Sequence, residues 1–296
     1  MFNIITPTYN RRHLLHRVYE SLNKQELKGF KWIVVDDCST DDTGSLVEQW
    51  AIETKEFSIE YYCLKENQGK PNAVNFGLEK CEFPYTIIAD SDDEFSSKTL
   101  SELKQIWDIV ELSENNIGAI WTLDTDENDN IIGDKFPKDF WQVSFRQRVL
   151  ENKKQVSGDK WHCWKTNVLK ANPLHSDSES HIEESQTWDK INRAHDFLCL
   201  NISHLKVYKT PNSLITAKKT RYQVSRSEYY SAYYGLKDIN LYDIFIHKHF
   251  RSLAFNYIKS SFFYSDKQLK LSISQYFISA IIFIFNAPYR ILNKLV

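Results

Sequence analysis

The first 125 residues alternate between short apolar runs and segments of helical periodicity, and this pattern constrains the fold more than any other feature. The run "FNIIT" (residues 2–6) predicts a buried strand, and the segment after it carries Leu14, Val18 and Leu22 at helical spacing. Further strands are predicted at "WIVV", "IEYYCL", "YTIIA" and "IGAIWTL", with helical segments between them. Such alternation favours an α/β fold with a largely parallel sheet and helices on both faces.

The remainder of the chain falls into two parts. Residues 126–230 are rich in Trp, Asn and Ser, and they predict loops, a minor sheet and helices built around a site. From about residue 229 to residue 296 the pattern is helical and aromatic. We therefore predict an α/β domain over residues 1–228 and a helical C-terminal region over residues 229–296.

The charge of the chain is distributed unevenly. The net charge of −2 gives no support for nonspecific nucleic-acid binding. From residue 231 onward, however, eight Lys and Arg stand against three Asp and Glu. A basic tail behind an acidic body indicates an anionic surface as a partner.

The cysteines and the length of the longest apolar run indicate where in the cell the protein is located. The cysteines are odd in number, scattered and without a CxxC pair, which indicates reduced thiols and not disulfides or a zinc site. No signal peptide precedes the first strand, and the longest apolar run, residues 276–285, is about half of the ~20 residues of a membrane span. We expect a cytoplasmic protein, with peripheral membrane contact at most.

Polar clusters follow four of the predicted strands. They are "TPTYN" (residues 6–10), "DDCSTDD" (36–42), "ENQGK" (66–70) and "DSDD" (90–93). Ligands of open α/β sheets gather at the carboxyl ends of the strands, and parallel topology brings these ends to one edge. Loops are polar in general, but four polar clusters that each follow a predicted strand predict a binding site.

The cluster at residues 90–93 places Asp90, Asp92 and Asp93 directly behind an apolar run, where their charges repel one another. A divalent cation would neutralise them, and hard carboxylate oxygens suit Mg²⁺ or Mn²⁺ with substrate phosphates completing the shell. The alternative is a solvated acidic turn before the next helix. Other phosphate-binding motifs are absent, since there is no GxGxxG and "NQGKPN" is not a P-loop, and the GxSxG nucleophile elbow of serine hydrolases is absent too.

The segments "IITPTYNR", "IVVDDCSTDDT", "ENQGKPNAVNFG" and "YTIIADSDDEF" resemble, in order and spacing, the motifs of the family 2 inverting glycosyltransferases of GT-A fold. The resemblance covers roughly residues 2–100 and implies a UDP-sugar donor with Mg²⁺ or Mn²⁺ as cofactor. The implied donor-binding residues are Thr6, Pro7 and Tyr9 around the base, Asp37 on the uracil, Lys70 near the diphosphate, and Asp90 with Ser91. The implied metal ligands are Asp92 and Asp93.

An inverting transferase also needs a base that takes the proton of the acceptor hydroxyl. The family commonly places it in a Glu-Asp pair followed by an aromatic residue, and "HIEESQTW" resembles that arrangement with Glu183, Glu184 and Trp188, but carries Glu where Asp is usual. Glu184 is the favoured base, and a solvent-facing acidic helix start is the alternative. Gln223 stands where relatives often carry a histidine near the metal, and the absence of QxxRW favours addition of a single sugar.

The C-terminal region carries helical aromatic stripes with interleaved Lys and Arg, which fit a helix at a membrane interface or a cap on the catalytic domain. Taken with the resemblance, the sequence predicts transfer of a sugar from a UDP-sugar to a carbohydrate or polyprenyl-diphosphate-linked acceptor, in bacterial surface-polysaccharide synthesis. A sugar-phosphate nucleotidyltransferase and a catalytically silent nucleotide-sugar-binding module are the alternatives.

Overall fold

A computed structural model of the chain describes residues 1–113, 115–151, 156–177, 182–208, 219–266 and 268–292, with side chains to residue 286. Over these residues nine strands join in one sheet, in the order β3-β2-β1-β4-β8-β6-β9-β5, and β7 pairs with β9. Helices pack against the sheet and form a separate cluster toward the C-terminus. The predicted α/β class with a helical C-terminal region is confirmed.

The N-terminal half of the sheet is parallel and matches the predicted alternation. Its strands and helices are β1 (Phe2–Thr8), α1 (His16–Asn23), β2 (Lys31–Asp36), α2 (Thr43–Glu53), β3 (Ser58–Cys63), α3 (Lys70–Glu79) and β4 (Tyr85–Ile88). Every residue of β1 and β2 is buried, as expected for strands covered on both faces. Gly77 lets α3 approach closely, since a Cβ there would lie 2.6 Å from Ile5 Cγ2.

The other half of the sheet is mixed. Its strands and helices are β5 (Glu94–Phe95), α4 (Thr99–Glu111), β6 (Ile117–Thr125), β7 (Phe140–Val143), a π-helix (Arg146–Leu150), β8 (Lys160–Lys165), α5 (Thr166–Lys170), α6 (Ser185–Ala194) and β9 (Asp196–Lys206). Strand β8 lies between β4 and β6 and is antiparallel to both. The expectation of a largely parallel sheet therefore holds for the first half. Beyond β4 the sheet is mixed, because β8 runs in the opposite direction while β6 and β9 are parallel to each other.

The C-terminal helices have a hydrophobic core of their own. They are α7 (Arg221–Leu236), α8 (Leu241–Ile246), α9 (Lys248–Ser261) and α10 (Ile273–Leu292). Phe145 and Ile182 of the α/β part belong to this core, so the helices pack on the domain. The boundary proposed at residue 228 falls inside α7. No helix in the described part of the chain combines the length and apolar character that a membrane crossing requires.

Candidate active site

The loops after β1 and β2 are joined to each other at the edge of the sheet. Asn10 and Cys38 adopt left-handed backbone conformations, with φ of 53° and 69°. The Asn10 amide donates to Ser39 Oγ at 2.8 Å, and the Thr40 amide donates to Asn10 Oδ1 at 2.8 Å. Asparagine tolerates this conformation better than most residues, which explains its place in the turn. The two predicted clusters are therefore held together, and they border a cavity of about 1450 Å³.

Asp37 joins the third cluster to the second. Its two carboxylate oxygens accept the backbone amides of Gln68 at 2.8 Å and Gly69 at 2.7 Å. Gly69 has a φ of +85°, a conformation that favours glycine, and α3 begins at the next residue. Asp37 lines the cavity and fixes the loop that presents Lys70. Its contact with a uracil ring remains a prediction.

The residues at the carboxyl end of β1, and Tyr9 after it, differ in their access to the cavity. Pro7, Thr8 and Tyr9 line it, and Tyr9 is 44% exposed. The side chain of Thr6 is fully buried, and its Oγ1 accepts the indole N–H of Trp32 at 2.9 Å. Thr6 thus packs beneath the site, whereas the hydroxyl of Thr8, which sequence analysis did not select, has no hydrogen-bond partner among the described residues.

Lys70 connects the fourth cluster to the acidic pair. Its Nζ lies 2.7 Å from Asp90 Oδ1 and 3.2 Å from Glu184 Oε1. Burial alone would lower the pKa of Lys70, but the two carboxylates outweigh it and hold the pKa above the ordinary lysine value. Lys70 is therefore charged at neutral pH. Residues 94 positions apart in sequence, Asp90 and Glu184, meet at one ammonium group.

The acidic cluster is crowded, as the sequence implied. Asp93 is only 7% exposed, and burial together with the charges of Asp90 and Asp92 raises its pKa well above the usual range. Arg11 Nη1 approaches Asp92 Oδ2 at 3.9 Å, and Ser91 lines the cavity beside them. A divalent cation would relieve this repulsion.

The described residues contain no ready-made group of three or more His, Cys, Asp or Glu side chains arranged to hold a metal. Mg²⁺ commonly uses one or two protein carboxylates and takes its other ligands from water and substrate phosphates. Asp92 and Asp90 fit that arrangement because both border the cavity where a diphosphate would lie. The residues present suit a cation that arrives with its substrate.

The acidic pair stands at the start of α6. Glu184 precedes the helix and is partly buried against Lys70. Glu183 is exposed, and its Oε2 accepts the Ser185 hydroxyl at 3.3 Å. Both line the cavity, as does Trp188, whose ring stacks on that of Trp164 with the centroids 4.3 Å apart.

Gln223 does not line the cavity. Its side chain accepts the Thr220 amide at 2.9 Å, while Thr220 Oγ1 accepts the Gln223 amide at 3.2 Å. This capping box begins α7. Gln223, which the family resemblance placed near a metal, therefore caps the N-terminus of α7.

Two strands supply a floor that sequence analysis missed. Trp121 and Asp124 of β6 and His162 of β8 line the cavity. Burial, with added repulsion from Asp159 and Asp90, raises the pKa of Asp124 to about 7. Burial and nearby cations lower the pKa of His162 to about 3, so its imidazole is neutral. Asp124 could have been predicted, because it is a polar residue at a strand end like those of the predicted clusters. No feature of the neighbouring sequence indicates that His162 belongs to a site.

The C-terminal helices supply part of the wall. His249 and Leu253 of α9 line the cavity, which connects the helical region to the site. Asp189 of α6 accepts a hydrogen bond from Arg148 of the π-helix at 2.5 Å, and His249 Nε2 lies 3.5 Å from its other oxygen. Burial lowers the pKa of His249.

The α/β sheet, with a cavity at the carboxyl ends of its parallel strands and an acidic cluster beside it, has the GT-A fold, a nucleotide-sugar-binding fold. The fold is similar to that of TarS from Staphylococcus aureus, solved with UDP-GlcNAc, with a TM-score of 0.64 and 19% identity over 95% of this chain and 79% of that one. It is also similar to the mannosyltransferase PcManGT from Pyrobaculum calidifontis, solved with GDP-Man and Mn²⁺, with a TM-score of 0.56 and 17% identity over 99% and 83% of the two chains.

The chain belongs to glycosyl transferase family 2, whose sequence pattern matches residues 3–164. A relative from Campylobacter jejuni, the GalNAc(5)-diNAcBac-PP-undecaprenol beta-1,3-glucosyltransferase, is 30% identical over 168 residues, 51% of this chain and 53% of its own length. The chain spans about half or less of the length of the first curated relatives it matches. The predicted family is confirmed.

Proposed function

We propose that this protein transfers one sugar from a UDP-sugar to a carbohydrate or lipid-linked acceptor, with inversion at the anomeric carbon and with a divalent cation. The observation that supports this most is the contact of Lys70 with both Asp90 and Glu184. Through Lys70, the acidic cluster of residues 90–93, which is expected to bind the donor, lies close to Glu184. The carboxylate of Glu184 is suited to act as a base. The similarity to proteins named for UDP-GlcNAc and for an undecaprenol-linked acceptor supports the same substrates here.

In this mechanism the acceptor oxygen attacks the anomeric carbon as the bond from that carbon to the diphosphate oxygen breaks. The electron pair of the broken bond stays on UDP, and Glu184 takes the proton of the acceptor hydroxyl. Lys70 keeps its proton and places a positive charge beside the departing diphosphate. Attack opposite the leaving group converts an α-linked donor into a β-linked product without a covalent enzyme intermediate.

The test of this function is a transfer assay with a panel of UDP-sugars and a bacterial lipid-linked acceptor fraction, followed by mass spectrometry and NMR. Glu184→Gln preserves shape and polarity but cannot accept a proton, so turnover should fall about 10²–10⁴-fold. Glu183→Gln, one residue away and exposed, is the matched control and should change turnover little. Retention at the anomeric carbon, or diphosphate release from UTP and a sugar phosphate, would contradict the proposal.

We also propose that Asp92, with Asp93 and Asp90 beside it, holds Mg²⁺ or Mn²⁺ when the donor binds. The cation would supply positive charge to the diphosphate. Asp92→Asn should abolish the enhancement of UDP binding by Mn²⁺ in calorimetry and should leave thermal unfolding nearly unchanged. Asp108→Asn, an exposed carboxylate on α4, is the control. Equal UDP affinity of the wild type with Mn²⁺ and with EDTA would refute the metal requirement.

Finally, we propose that the enzyme works at the inner face of the cytoplasmic membrane in surface-polysaccharide synthesis. Helices α8 and α10 pack together and expose large apolar side chains, which we name the apolar face. Its residues are Leu241, Tyr242, Phe245, Ile246, Ile273, Tyr276, Phe277, Ile281, Ile284 and Phe285. With the net positive charge of residues 231–296, this face fits an anionic lipid surface that also carries a polyprenyl-linked acceptor.

A further inference from the structure

We propose that Trp121, Asp124 and His162, the floor cluster, bind the hydroxyl groups of the donor's sugar ring. This inference rests on the proposed function, and it assigns a role to residues outside the four strand-end motifs. The cluster lies on neighbouring antiparallel strands, where Trp121 of β6 pairs with His162 of β8. Their rings are 4.3 Å apart between centroids.

The floor cluster lies beside the place where the reaction must occur. The three residues of the floor cluster line the same cavity as Asp90 and Lys70. Lys70 in turn contacts Glu184. A sugar bonded to a diphosphate near Asp90, with its anomeric carbon facing an acceptor near Glu184, therefore has its ring next to this floor.

Two polar atoms of the cluster are buried without a hydrogen-bond partner among the described residues. They are Asp124 Oδ1 and Trp121 Nε1, on side chains 3% and 8% exposed. Leaving such atoms unpaired is costly, so a ligand that pairs them is favoured. A sugar hydroxyl is both donor and acceptor, so hydroxyls on one ring can donate to the carboxyl oxygen and accept from the indole N–H.

The charges of the floor favour a neutral ligand over a phosphate. Asp124 repels anions when ionised, and His162 is uncharged. The nearby Lys160 is already engaged, because its Nζ donates to the backbone carbonyls of Ser157 at 2.9 Å, Asp159 at 3.0 Å, Gly158 at 3.2 Å and Ile132 at 3.4 Å.

The experiment compares affinities for UDP and for UDP-glucose, UDP-galactose, UDP-GlcNAc and UDP-GalNAc by calorimetry with Mn²⁺. Wild type should bind at least one UDP-sugar more tightly than UDP. Asp124→Ala should reduce that preference at least tenfold, and Trp121→Phe about two- to tenfold, with affinity for UDP unchanged. Two variants on separate side chains guard against a folding defect in either, and thermal unfolding is measured for both.

Trp164→Phe is the matched control. Its indole N–H is also buried and without a described partner, but it does not line the cavity, so the preference for the UDP-sugar should persist. A wild type that binds UDP and UDP-sugars equally, or floor variants that keep the full preference, would overturn the floor assignment alone. Failure of wild type to bind any uridine nucleotide would instead overturn the proposed function on which it rests.

Discussion

Asp124 shows how a single carboxyl group can oppose the stability of the fold that contains it. It is 3% exposed, and burial is the largest cause of its raised pKa of about 7, followed by repulsion from Asp159. The charge of Lys160 only partly offsets these effects. In an unfolded chain the same group would titrate near 3.8. The folded protein therefore holds this proton more tightly than the unfolded chain does.

The consequence is a pH-dependent stability of the substrate-free protein. Where the folded state binds more protons, the free energy of unfolding falls as pH rises, here from about pH 4 to about pH 7. Asp124→Asn removes this titration, so the variant should match wild type near pH 4 and exceed it at pH 8 by up to roughly 4 kcal/mol. Urea unfolding at both pH values measures the difference, with Asp108→Asn as the control. A constant difference at the two pH values would contradict the assigned pKa.

Single residues also show what could be predicted from the sequence. Asp90 and Lys70 follow predicted strands, and parallel topology places such residues at one edge. His162 could not be found in this way, because its position depends on the antiparallel pairing of β8 with β6. Gln223 carried a readable signal, since "TRYQ" fits the capping-box spacing of Thr220 and Gln223. The family resemblance indicated a position near the metal for Gln223 instead.

At the scale of elements, the position of α3 is set by the contact of Gly77 with β1 and β2. Alanine normally stabilises an open helix position by about 0.5–1 kcal/mol relative to glycine. Here the added Cβ would lie 2.6 Å from Ile5 Cγ2 and 3.2 Å from Val35 Cγ2, on strands that are fully buried. The helix must shift, and Lys70 at its first turn would shift with it.

Gly77→Ala should therefore lower the free energy of unfolding by about 1–3 kcal/mol and also reduce UDP affinity. Chemical denaturation and calorimetry measure the two effects. Glu79→Ala, an exposed change on the same helix, should stay within about 0.5 kcal/mol of wild type. An unchanged or raised free energy of unfolding for Gly77→Ala would contradict this prediction. It would show that α3 can move away from β1 and β2 without loss of stability.

The strands differ in how far local sequence determines them. Strands β1, β2 and β4 are apolar runs followed by polar turns, and they were predicted in order. In the mixed half, β6 was predicted at "IGAIWTL", but β7 and β8 were not, since they are interrupted by aromatic and charged residues and pair with strands distant in sequence. Their pairing depends on long-range contacts that periodicity does not encode.

At the scale of the whole molecule, the apolar face should bind lipid. We expect wild type to co-sediment with vesicles containing phosphatidylglycerol, and binding should weaken as salt rises because the basic residues are screened. The double substitution Phe277→Ser with Phe285→Ser removes two side chains that are 64% and 80% exposed, so binding should decrease by at least an order of magnitude.

The control substitutes Ile52→Ser with Ile109→Ser, which are 72% and 69% exposed on α2 and α4. Vesicle binding should be unaffected, since these side chains lie outside the apolar face. Equal loss in both double variants would show that binding is not located on α8 and α10. A concentration-dependent dimer in place of vesicle binding would identify a second copy of the chain as the occupant.

Helix α9 contacts both the cavity and helix α10, which carries much of the apolar face. His249 and Leu253 line the cavity, while Phe255 stacks on Phe283 of α10 at 5.0 Å. The cavity and the proposed lipid-binding face are therefore connected through one helix. We expect that a chimera with α7 to α10 from another family member would exchange part of the cavity lining together with that face, so the two could not be altered independently.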